Sequence, residues 1–434
     1  MSNLVQVDFH AGRTAKGERV GVSAVIGDLK QAQENLKRWP VDRIIELFDE
    51  FGFRLMDRRL SIHGDYPNSG IAYIAGWCRK SNLVSLLQSA FQSRYVLDRF
   101  VDSEAKTDRS YRAHSRGLVV HWMAGNVPTL GFLSLIQGVL TKNANLIKPA
   151  SGSNDLLAQL LFVLSTAKEG EPQSGRDLVK SMAVVRYDRN RKDIGAAISK
   201  EADVRVFWGG DDSVATMRAL PTKLHTRDLV FSNKTSFMAI DNGSLETMDM
   251  EAIARRVAMD ISVFEQKACA SPHTLFLETE DASVVQQFAL CLKEALSRAL
   301  ASIPKTIPSQ NEISAVLNLR AQYDMFHQAW YSEGTEFSIL SDDYFQLGPP
   351  IGNRTIYLRK IDNLQKLTEL ITPQVQSVGI LAKPETFERV TALFSEKGVH
   401  RFTNIGAITH FEVPWDGYIL PQYLVRWTSR PKQS

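Results

Sequence analysis

The chain has 434 residues, of which 44% are hydrophobic and 23% are charged, an ordinary globular composition with room for two or three domains. Its 51 Lys and Arg residues nearly balance 48 Asp and Glu residues, so the formal net charge is +3. This near-neutral balance argues against a dedicated nucleic-acid-binding protein, which would concentrate basic charge on one face.

The first hundred residues are predicted to be mostly helical. Residues 41–55 carry apolar side chains at helical spacing, namely Ile44, Ile45, Leu47, Phe48 and Phe51. Residues 82–100 repeat the pattern. No catalytic motif stands out in this part, and its expected role is packing, substrate cover or subunit contact.

An apolar segment between Arg116 and Lys142 contains no Asp, Glu, Lys or Arg and is long enough to cross a bilayer. It also contains several glycines, Pro128 and the turn sequence Ala-Gly-Asn-Val-Pro. A turn in mid-membrane would leave backbone groups unpaired. The segment therefore predicts a buried strand, a turn and a buried helix at residues 128–140, with no membrane span.

Strands and helices alternate from about residue 117. The predicted strands are residues 117–121, 145–148, 182–186, 204–208 and 237–240. The predicted helices between them include residues 154–165, 193–199 and 213–220. This alternation indicates a parallel sheet with helices on both faces, and nucleotides bind such sheets at the carboxyl ends of the strands.

The next section runs from Asp249 to about residue 382 and contains both predicted helices and predicted strands. A helix capped by Asp249 loses its period near Cys269, and a strand at residues 274–277 follows. A helix at about residues 284–301 contains Cys291, which we interpret as a core residue. Residues 354–358 and 376–380 are predicted strands, and a hydrophobic tail closes the chain.

Three cysteines, Cys78, Cys269 and Cys291, are too few and too irregularly spaced for a disulfide framework. They fit a reducing compartment, and the N-terminus shows no secretion signal, so we expect a cytoplasmic protein. No His/Glu pair has helical metal-site spacing, so we expect no metal.

Cys269 is the strongest candidate catalytic residue. Alone, a free cysteine is usually a buried structural thiol. This one lies where a helix gives way to a loop, and Lys267 is near enough in sequence to lower the pKa of the thiol. Asn126 is either a plain turn residue or an amide donor to the oxyanion that forms when a thiolate attacks a thioester.

Lys148 ends a predicted strand, where its side chain could contact a ribose or a phosphate. The alternative is an ordinary solvated lysine. Gly209 and Gly210 follow another strand and precede a helix, an arrangement that lets a dinucleotide approach the backbone. The G-x-G-x-x-G fingerprint is missing, so the usual Rossmann motif is not supported. His121 is interpreted as a core residue or a support for the site.

Together these residues resemble the aldehyde dehydrogenase superfamily and, more closely, the LuxC-type acyl-CoA reductases. The motifs that carry the resemblance appear in family order over about residues 117–427, at residues 121–128, 145–149, 208–211, 266–272 and 415–418. The resemblance implies an α/β fold with two parallel-sheet domains. It implies a helical N-terminal region (1–116) packing on the cofactor domain, a dinucleotide-binding domain (117–240), a catalytic domain (241–400), and a C-terminal tail (401–434) that returns to the cofactor domain or a subunit interface.

The resemblance also implies roles for individual residues. Cys269 falls on the nucleophile, Asn126 on the oxyanion asparagine and Lys148 on the lysine that contacts the cofactor ribose. Gly209 and Gly210 match the glycine turn near the dinucleotide phosphates.

Two departures from the superfamily pattern bear on the reaction. Residues 231–237 lack the glutamate with which aldehyde-oxidising members activate water, which favours reduction over acid production. Ser151 stands where NAD-preferring members have a ribose-binding glutamate, which favours NADPH, with NADH as the alternative.

The expected function is therefore an acylating aldehyde dehydrogenase that uses NADPH to reduce an acyl-CoA, typically a fatty acyl-CoA, to the free aldehyde through a Cys269 acyl-enzyme. The acyl donor could instead be a carrier protein or an acyl-protein synthetase partner, and homo-oligomers are usual in the superfamily. Two rivals remain open: a thiol acyltransferase or acyl-carrying subunit without hydride transfer, and a non-enzymatic scaffold subunit.

Overall fold

The computed structural model describes residues 3–66, 68–103, 108–168 and 174–432. The described chain divides into two compact units. The first comprises the described residues up to Ser232 together with the chain from Tyr418 onwards, and the second runs from Asn233 to Gly417.

The first unit is built around a mostly parallel sheet. Its strands are β1 (Leu4–His10), β2 (Arg13–Gly21), β3 (Val101–Asp102), β4 (Arg109–Ser115), β5 (Leu118–Trp122), β6 (Ala144–Lys148), β7 (Met182–Arg186), β8 (Val204–Trp208) and β9 (Arg227–Phe231). Its helices are α1 (Val22–Leu36), α2 (Val41–Leu55), α3 (Ile62–Asp65), α4 (Ile71–Trp77), α5 (Lys80–Phe91), α6 (Pro128–Leu140), α7 (Leu156–Ser165), α8 (Ser174–Val179), α9 (Lys192–Glu201) and α10 (Asp211–Arg218).

The main sheet of this unit has the strand order β2-β1-β7-β6-β5-β8-β9. The run from β7 to β9 is parallel, and every residue of β5 and β8 is buried, as expected for strands covered on both faces. The predicted strands of this sheet are confirmed. Their carboxyl ends meet at one edge, which places the residues after β5, β6 and β8 near each other.

The expectation of a mostly helical N-terminal region was incomplete. Helix α2 is confirmed, but the chain begins with the hairpin β1–β2, whose first strand pairs antiparallel with β7 at the sheet edge. In β1, Val5, Val7 and Phe9 are buried, and their alternation is the period of a strand. The helix predicted over residues 82–100 ends at Phe91, because Gln92 adopts a left-handed conformation with φ 63°.

The apolar segment between Arg116 and Lys142 forms β5, a turn and α6, as predicted. Within the described residues, no helix combines the length and the apolar character needed to span a membrane.

The second unit contains another mostly parallel sheet. Its strands are β10 (Thr235–Ile240), β11 (Pro272–Glu278), β12 (Gln328–Tyr331), β13 (Ser338–Ser341), β14 (Thr355–Ile361), β15 (Val375–Leu381) and β16 (Arg401–Thr403). Its helices are α11 (Asn242–Thr247), α12 (Met250–Ser262), α13 (Ala282–Ser302), α14 (Gln310–Phe326) and α15 (Pro384–Glu396). The strand order is β12-β13-β14-β11-β10-β15-β16, and only the β12–β13 pairing in it is antiparallel.

Strand β10, expected at the end of the dinucleotide-binding domain, pairs with β11 and β15 in this second sheet. Helices α12 and α13 cover one face through a continuous apolar cluster that includes Ile253, Val257 and Phe288. Cys291, interpreted from the sequence as a core residue, is partly buried and packs against the edge of the same cluster.

The C-terminal segment belongs to the first unit. It forms α16 (Leu420–Tyr423) and β17 (Val425–Pro431), and β17 pairs antiparallel with β4 from Val425 opposite Ser115 to Pro431 opposite Arg109.

Candidate active site

The loop between α12 and β11 carries Cys269 at the amino-terminal edge of the second sheet. Helix α12 ends at Ser262, and Phe264, Glu265 and Gln266 then adopt left-handed conformations with φ of 56°, 53° and 56°. Such a conformation costs a non-glycine residue roughly 1–2 kcal/mol. The loop is therefore held by its surroundings, because its own backbone preference opposes it.

A buried ion pair and an amide hold this loop. Arg354, at the start of β14, donates to Glu265 through Nη2 at 2.8 Å and Nε at 3.2 Å, and both side chains are almost fully buried. The Gln266 amide donates to the Pro272 and Thr355 carbonyls at 2.9 and 3.0 Å and accepts from the Thr355 N–H at 2.6 Å. These contacts fix Glu265 and Gln266, four and three residues before Cys269.

Cys269 keeps partial solvent exposure in a turn directly before β11. Its carbonyl accepts from the Ser236 hydroxyl at 3.0 Å, which ties the turn to β10. Burial, and then the Asp416 carboxylate, together raise the pKa of the thiol to about 12, against the opposing effects of Gln376 and Arg401. Lys267, expected to lower the thiol pKa, forms an ion pair with Glu312 at 3.1 Å.

Two buried polar side chains that act on the thiol come from a neighbouring strand and a loop. Gln376 lies at the start of β15 and is buried, and Asp416, in the loop after β16, is also buried with 6% of its surface exposed. Among the described residues, neither side-chain oxygen of Asp416 and neither amide atom of Gln376 reaches a partner at hydrogen-bond geometry. Burial raises the pKa of Asp416 to about 6, against the opposing effects of Lys234, Gln376 and Arg401.

The buried cation near the thiol is Arg401, the first residue of β16. It donates to the Ser377 hydroxyl at 3.0 Å and to the carbonyls of Ile408 and His410, and it lies 4.7 Å from the centre of the Trp415 ring. Asp260 of α12 accepts from the backbone N–H groups of Gly406 and Ile408 at 2.6 and 3.2 Å, and burial raises its pKa to about 7. Sequence reasoning singled out none of these side chains, although Asp416 lies within a motif that carried the family resemblance.

Lys148 ends β6 in the first unit, half-buried beside an aromatic pair. Its ammonium lies 5.4 Å from the centre of the Tyr187 ring, and the Tyr187 hydroxyl accepts from the Trp122 indole N–H at 2.9 Å. Burial lowers the pKa of Lys148, and Arg186 lowers it further. Arg186 is fixed nearby through Asp8 at 2.5 Å and the Asn154 carbonyl at 2.6 Å.

Asn126 and Ser151 lie in exposed turns after β5 and β6. The two turns pack closely, because a Cβ added at Gly125 would lie 3.2 Å from the Cβ of Ala150. The structure therefore brings Asn126, Lys148 and Ser151 to one edge of the first sheet. Cys269 belongs to the other unit.

Gly209 and Gly210 follow β8 at the same sheet edge, and Gly210 is the N-cap of α10. The Gly209 N–H donates to the Phe231 carbonyl at 3.1 Å. Asp211 and Asp212 occupy the first turn of α10, and their negative charge works against a diphosphate at this helix end. Any phosphate contact here would therefore rely on the glycine backbone.

His121 is fully buried and bonded to two core side chains. Its Nδ1 lies 3.0 Å from the Ser134 hydroxyl and its Nε2 lies 3.1 Å from the Asn145 amide oxygen. Burial lowers its pKa to about 4, so the ring is neutral near pH 7. In the described ranges, no group of three or more His, Cys, Asp or Glu side chains is arranged to hold a metal ion.

Solved structures with a similar fold are aldehyde dehydrogenases. The chain superposes on the P. syringae indole-3-acetaldehyde dehydrogenase AldA with a TM-score of 0.70 at 12% identity, covering 98% of this chain and 92% of that one. A 3,6-anhydro-L-galactose dehydrogenase gives a TM-score of 0.63 at 13% identity over 98% and 96% of the two chains. These likenesses establish the aldehyde dehydrogenase-like α/β fold.

Similar sequences point to a narrower group. A "Long-chain acyl-protein thioester reductase" of Photorhabdus luminescens is 28% identical over 373 residues, covering 82% of this chain and 72% of the relative. Its counterpart in Aliivibrio fischeri is 25% identical over 391 residues, covering 86% and 77%. The model of the family described as acyl-CoA reductase (LuxC) matches residues 36–427. The chain therefore belongs to the LuxC family of acyl-CoA reductases and is an oxidoreductase that acts on acyl thioesters.

Proposed function

We propose that the protein reduces a long-chain acyl thioester to the free aldehyde through an acyl-enzyme on Cys269, with NADPH as the reductant. The observation that carries the proposal is a partly exposed cysteine on a loop that buried contacts hold in place at the edge of a parallel sheet. The acyl donor is an acyl-CoA or an acyl group on a protein, and the names of the relatives favour a long chain.

The residues of the first unit fit a nicotinamide dinucleotide. Lys148, Ser151 and the Gly209–Gly210 turn lie at the carboxyl edge of its parallel sheet, where such folds bind nucleotides. The Lys148 ammonium would donate hydrogen bonds to the ribose hydroxyls. Ser151 presents no carboxylate against a 2′-phosphate, and the positive charges of Lys148 and Arg186 favour one, which supports NADPH over NADH. When bound, the reduced cofactor supplies the hydride.

The protein side chains do the acyl chemistry. The Cys269 thiolate attacks the thioester carbonyl, and the Asn126 amide donates to the oxyanion that forms, a contact worth about 3–4 kcal/mol in comparable sites. The substrate thiol then leaves. After reduction, the thiohemiacetal on Cys269 collapses to release the aldehyde and return the thiol. Residues 231–237 provide no carboxylate to activate water, so we expect aldehyde as the product.

The test is to trap the acyl-enzyme. Cys269→Ala should abolish both the labelling of the protein by a radioactive long-chain acyl-CoA and the acyl-dependent consumption of NADPH. Cys291→Ala, the matched control in α13, should retain both. Reductase activity in the Cys269→Ala variant would overturn the mechanism.

Binding of the nicotinamide cofactor distinguishes this proposal from its main alternative, an acyltransferase or acyl-carrying subunit. Quenching of NADPH fluorescence by the wild-type protein is expected if the proposal holds. Labelling of Cys269 without any NADPH binding would instead identify an acyltransferase or acyl-carrying subunit. Acyl-CoAs of graded length would then define the preferred chain.

A further inference from the structure

Asp416 occupies a position that costs stability and lacks a structural partner. Its backbone is left-handed, with φ 47°, which costs a non-glycine residue roughly 1–2 kcal/mol. Its carboxylate is buried, and among the described residues neither oxygen makes a contact of full hydrogen-bond geometry, although the Gln376 amide lies close enough to lower its pKa as a donor. A buried carboxylate that is incompletely paired costs stability. Buried charged groups that lower the stability of a protein in this way are expected mainly at functional sites.

The carboxylate of Asp416 lies close enough to the thiol of Cys269 to change its pKa. Of the charged groups that influence Cys269, Asp416 has the largest effect. The Gln376 amide influences both, so it lies next to the sulfur and next to the carboxylate. Lys234 and Arg401 are the cations that act on Asp416. The group therefore contains two acids that share one buried neighbourhood.

The nearest buried cation is held independently of both acids. All three donor nitrogens of Arg401 that make hydrogen bonds reach neutral oxygens, on Ser377, Ile408 and His410. Its charge also acts on Cys269, Asp416, Asp260 and the exposed Glu412. Because this cation is fixed, it stabilises one negative charge in the pocket whether that charge is on the carboxylate or on the sulfur. Between the pKa values of about 6 for Asp416 and about 12 for Cys269, the two acids together hold one proton and one negative charge.

We propose that Asp416 is the acid–base residue of acyl transfer: its carboxylate takes the proton of the Cys269 thiol as the sulfur attacks, and gives it to the departing thiolate. This inference rests on the proposed function. In the balanced step, Cys269 thiol and acyl thioester become S-acyl Cys269 and a free thiol. The S–H bond of Cys269 and the C–S bond of the substrate break, and a C–S bond to Cys269 and an S–H bond on the leaving group form.

The test compares two rates in Asp416→Asn and in the matched control Glu412→Gln. Glu412 lies in the same loop and is the charge with the largest effect on Arg401, but it is exposed, so its variant removes one negative charge near the cation and leaves the buried side chains of Cys269, Asp416 and Gln376 in place. The first rate is alkylation of Cys269 by iodoacetamide. The second is release of free thiol from a long-chain acyl-CoA in a single turnover without NADPH, between about pH 6 and about pH 9.

Asp416→Asn should move the two rates in opposite directions. Alkylation should be several-fold faster, because the loss of a nearby negative charge lowers the pKa of the thiol. Thiol release should fall by about 10²-fold, the usual loss when a positioned acid–base group is removed. It should also rise about tenfold per pH unit, because only solvent can then take the proton. Glu412→Gln should match the wild type in both rates.

Other outcomes overturn the inference. If alkylation and thiol release both fell, Asp416 would be a structural residue. If both rose or neither changed, Asp416 would at most raise the pKa of the thiol, without a role as acid or base. Hydrolysis of the wild-type acyl-enzyme to the acid, lost in Asp416→Asn, would identify a water-activating base. Failure of the wild-type protein to form any acyl-enzyme would overturn the proposed function as well.

Discussion

Breaking the ion pair behind the nucleophile loop should lower both the stability of the protein and the rate of acylation. The perturbation is Arg354→Met, which leaves Glu265 buried without the guanidinium that contacts it at 2.8 and 3.2 Å. The Arg354 side chain is fully buried and that of Glu265 is 6% exposed. Removing one partner of such a pair costs about 3–5 kcal/mol, because the other charge stays buried. We expect that loss in the free energy of unfolding.

The same substitution should slow acylation of Cys269. Left-handed backbone at Phe264, Glu265 and Gln266 stores together about 3–6 kcal/mol, which the ion pair and the Gln266 hydrogen bonds offset. Without the pair, the loop can relax and move the sulfur. A displacement of about 1 Å costs roughly 10²-fold in rate. The assays are urea unfolding of the whole chain and single-turnover labelling by a long-chain acyl-CoA.

A double variant separates the two effects. Glu265→Leu combined with Arg354→Met replaces the buried ion pair by apolar groups, and such replacements are often neutral for stability. Stability should therefore return while labelling stays slow. Arg298→Met is the control, because Arg298 pairs with Glu294 on an exposed helix face and should contribute less than about 0.5 kcal/mol. A loss below about 1 kcal/mol in Arg354→Met, or full recovery of labelling in the double variant, would refute the reasoning.

Three further predictions concern the residues around the reacting groups. Asn126→Ala should lower kcat for thioester reduction by about 10²–10³-fold without changing NADPH affinity measured by fluorescence quenching, because it removes one oxyanion donor; an unchanged kcat would exclude this role. Ser151→Glu should raise the KM for NADPH and favour NADH, since its carboxylate would repel a 2′-phosphate, whereas Ser151→Ala should keep the original preference. Burial raises the pKa of Asp416 to about 6, above the value of about 3.9 for an unfolded Asp, so its contribution to stability is present below about pH 4 and lost as the pH rises through about 6. Asp416→Asn should therefore raise the free energy of unfolding by about 3 kcal/mol at about pH 8 and by almost nothing at about pH 4, as measured by urea unfolding.

The sheets were predictable because their central strands are short, continuous apolar runs. Strands β5, β6 and β8 are buried almost throughout, and such runs between turn residues can be recognised without tertiary information. The N-terminal hairpin was missed, because only Val5, Val7 and Phe9 mark its buried face before two helices dominate the pattern.

The position of Cys269 could also be predicted, because the helical period fails just before it and a strand follows. The shape of its loop could not. None of the left-handed residues Phe264, Glu265 and Gln266 is glycine, so the sequence gives no local signal for that backbone. Their conformation depends on Arg354 and Thr355, about ninety residues further along the chain, and partners at such a distance follow only from the fold.

The buried charges of the second unit differ in a way that separates structural from catalytic roles. Arg354 and Arg359 each face a carboxylate directly, with the closest contacts at 2.8 Å to Glu265 and 2.6 Å to Asp342. Such pairs hold the backbone in place.

Arg401 donates to neutral oxygens, and the buried carboxylate of Asp416 has no partner at hydrogen-bond geometry among the described residues. A closed ion pair beside the thiol would stabilise the fold more, but it would hold the negative charge on one oxygen pair. Leaving the cation and the carboxylate apart keeps the free-energy difference between a charged sulfur and a charged carboxylate smaller than a closed ion pair would make it, because such a pair would lower the pKa of Asp416 further. The unpaired carboxylate of Asp416 therefore lowers the stability of the fold, but it remains able to accept the proton of the thiol.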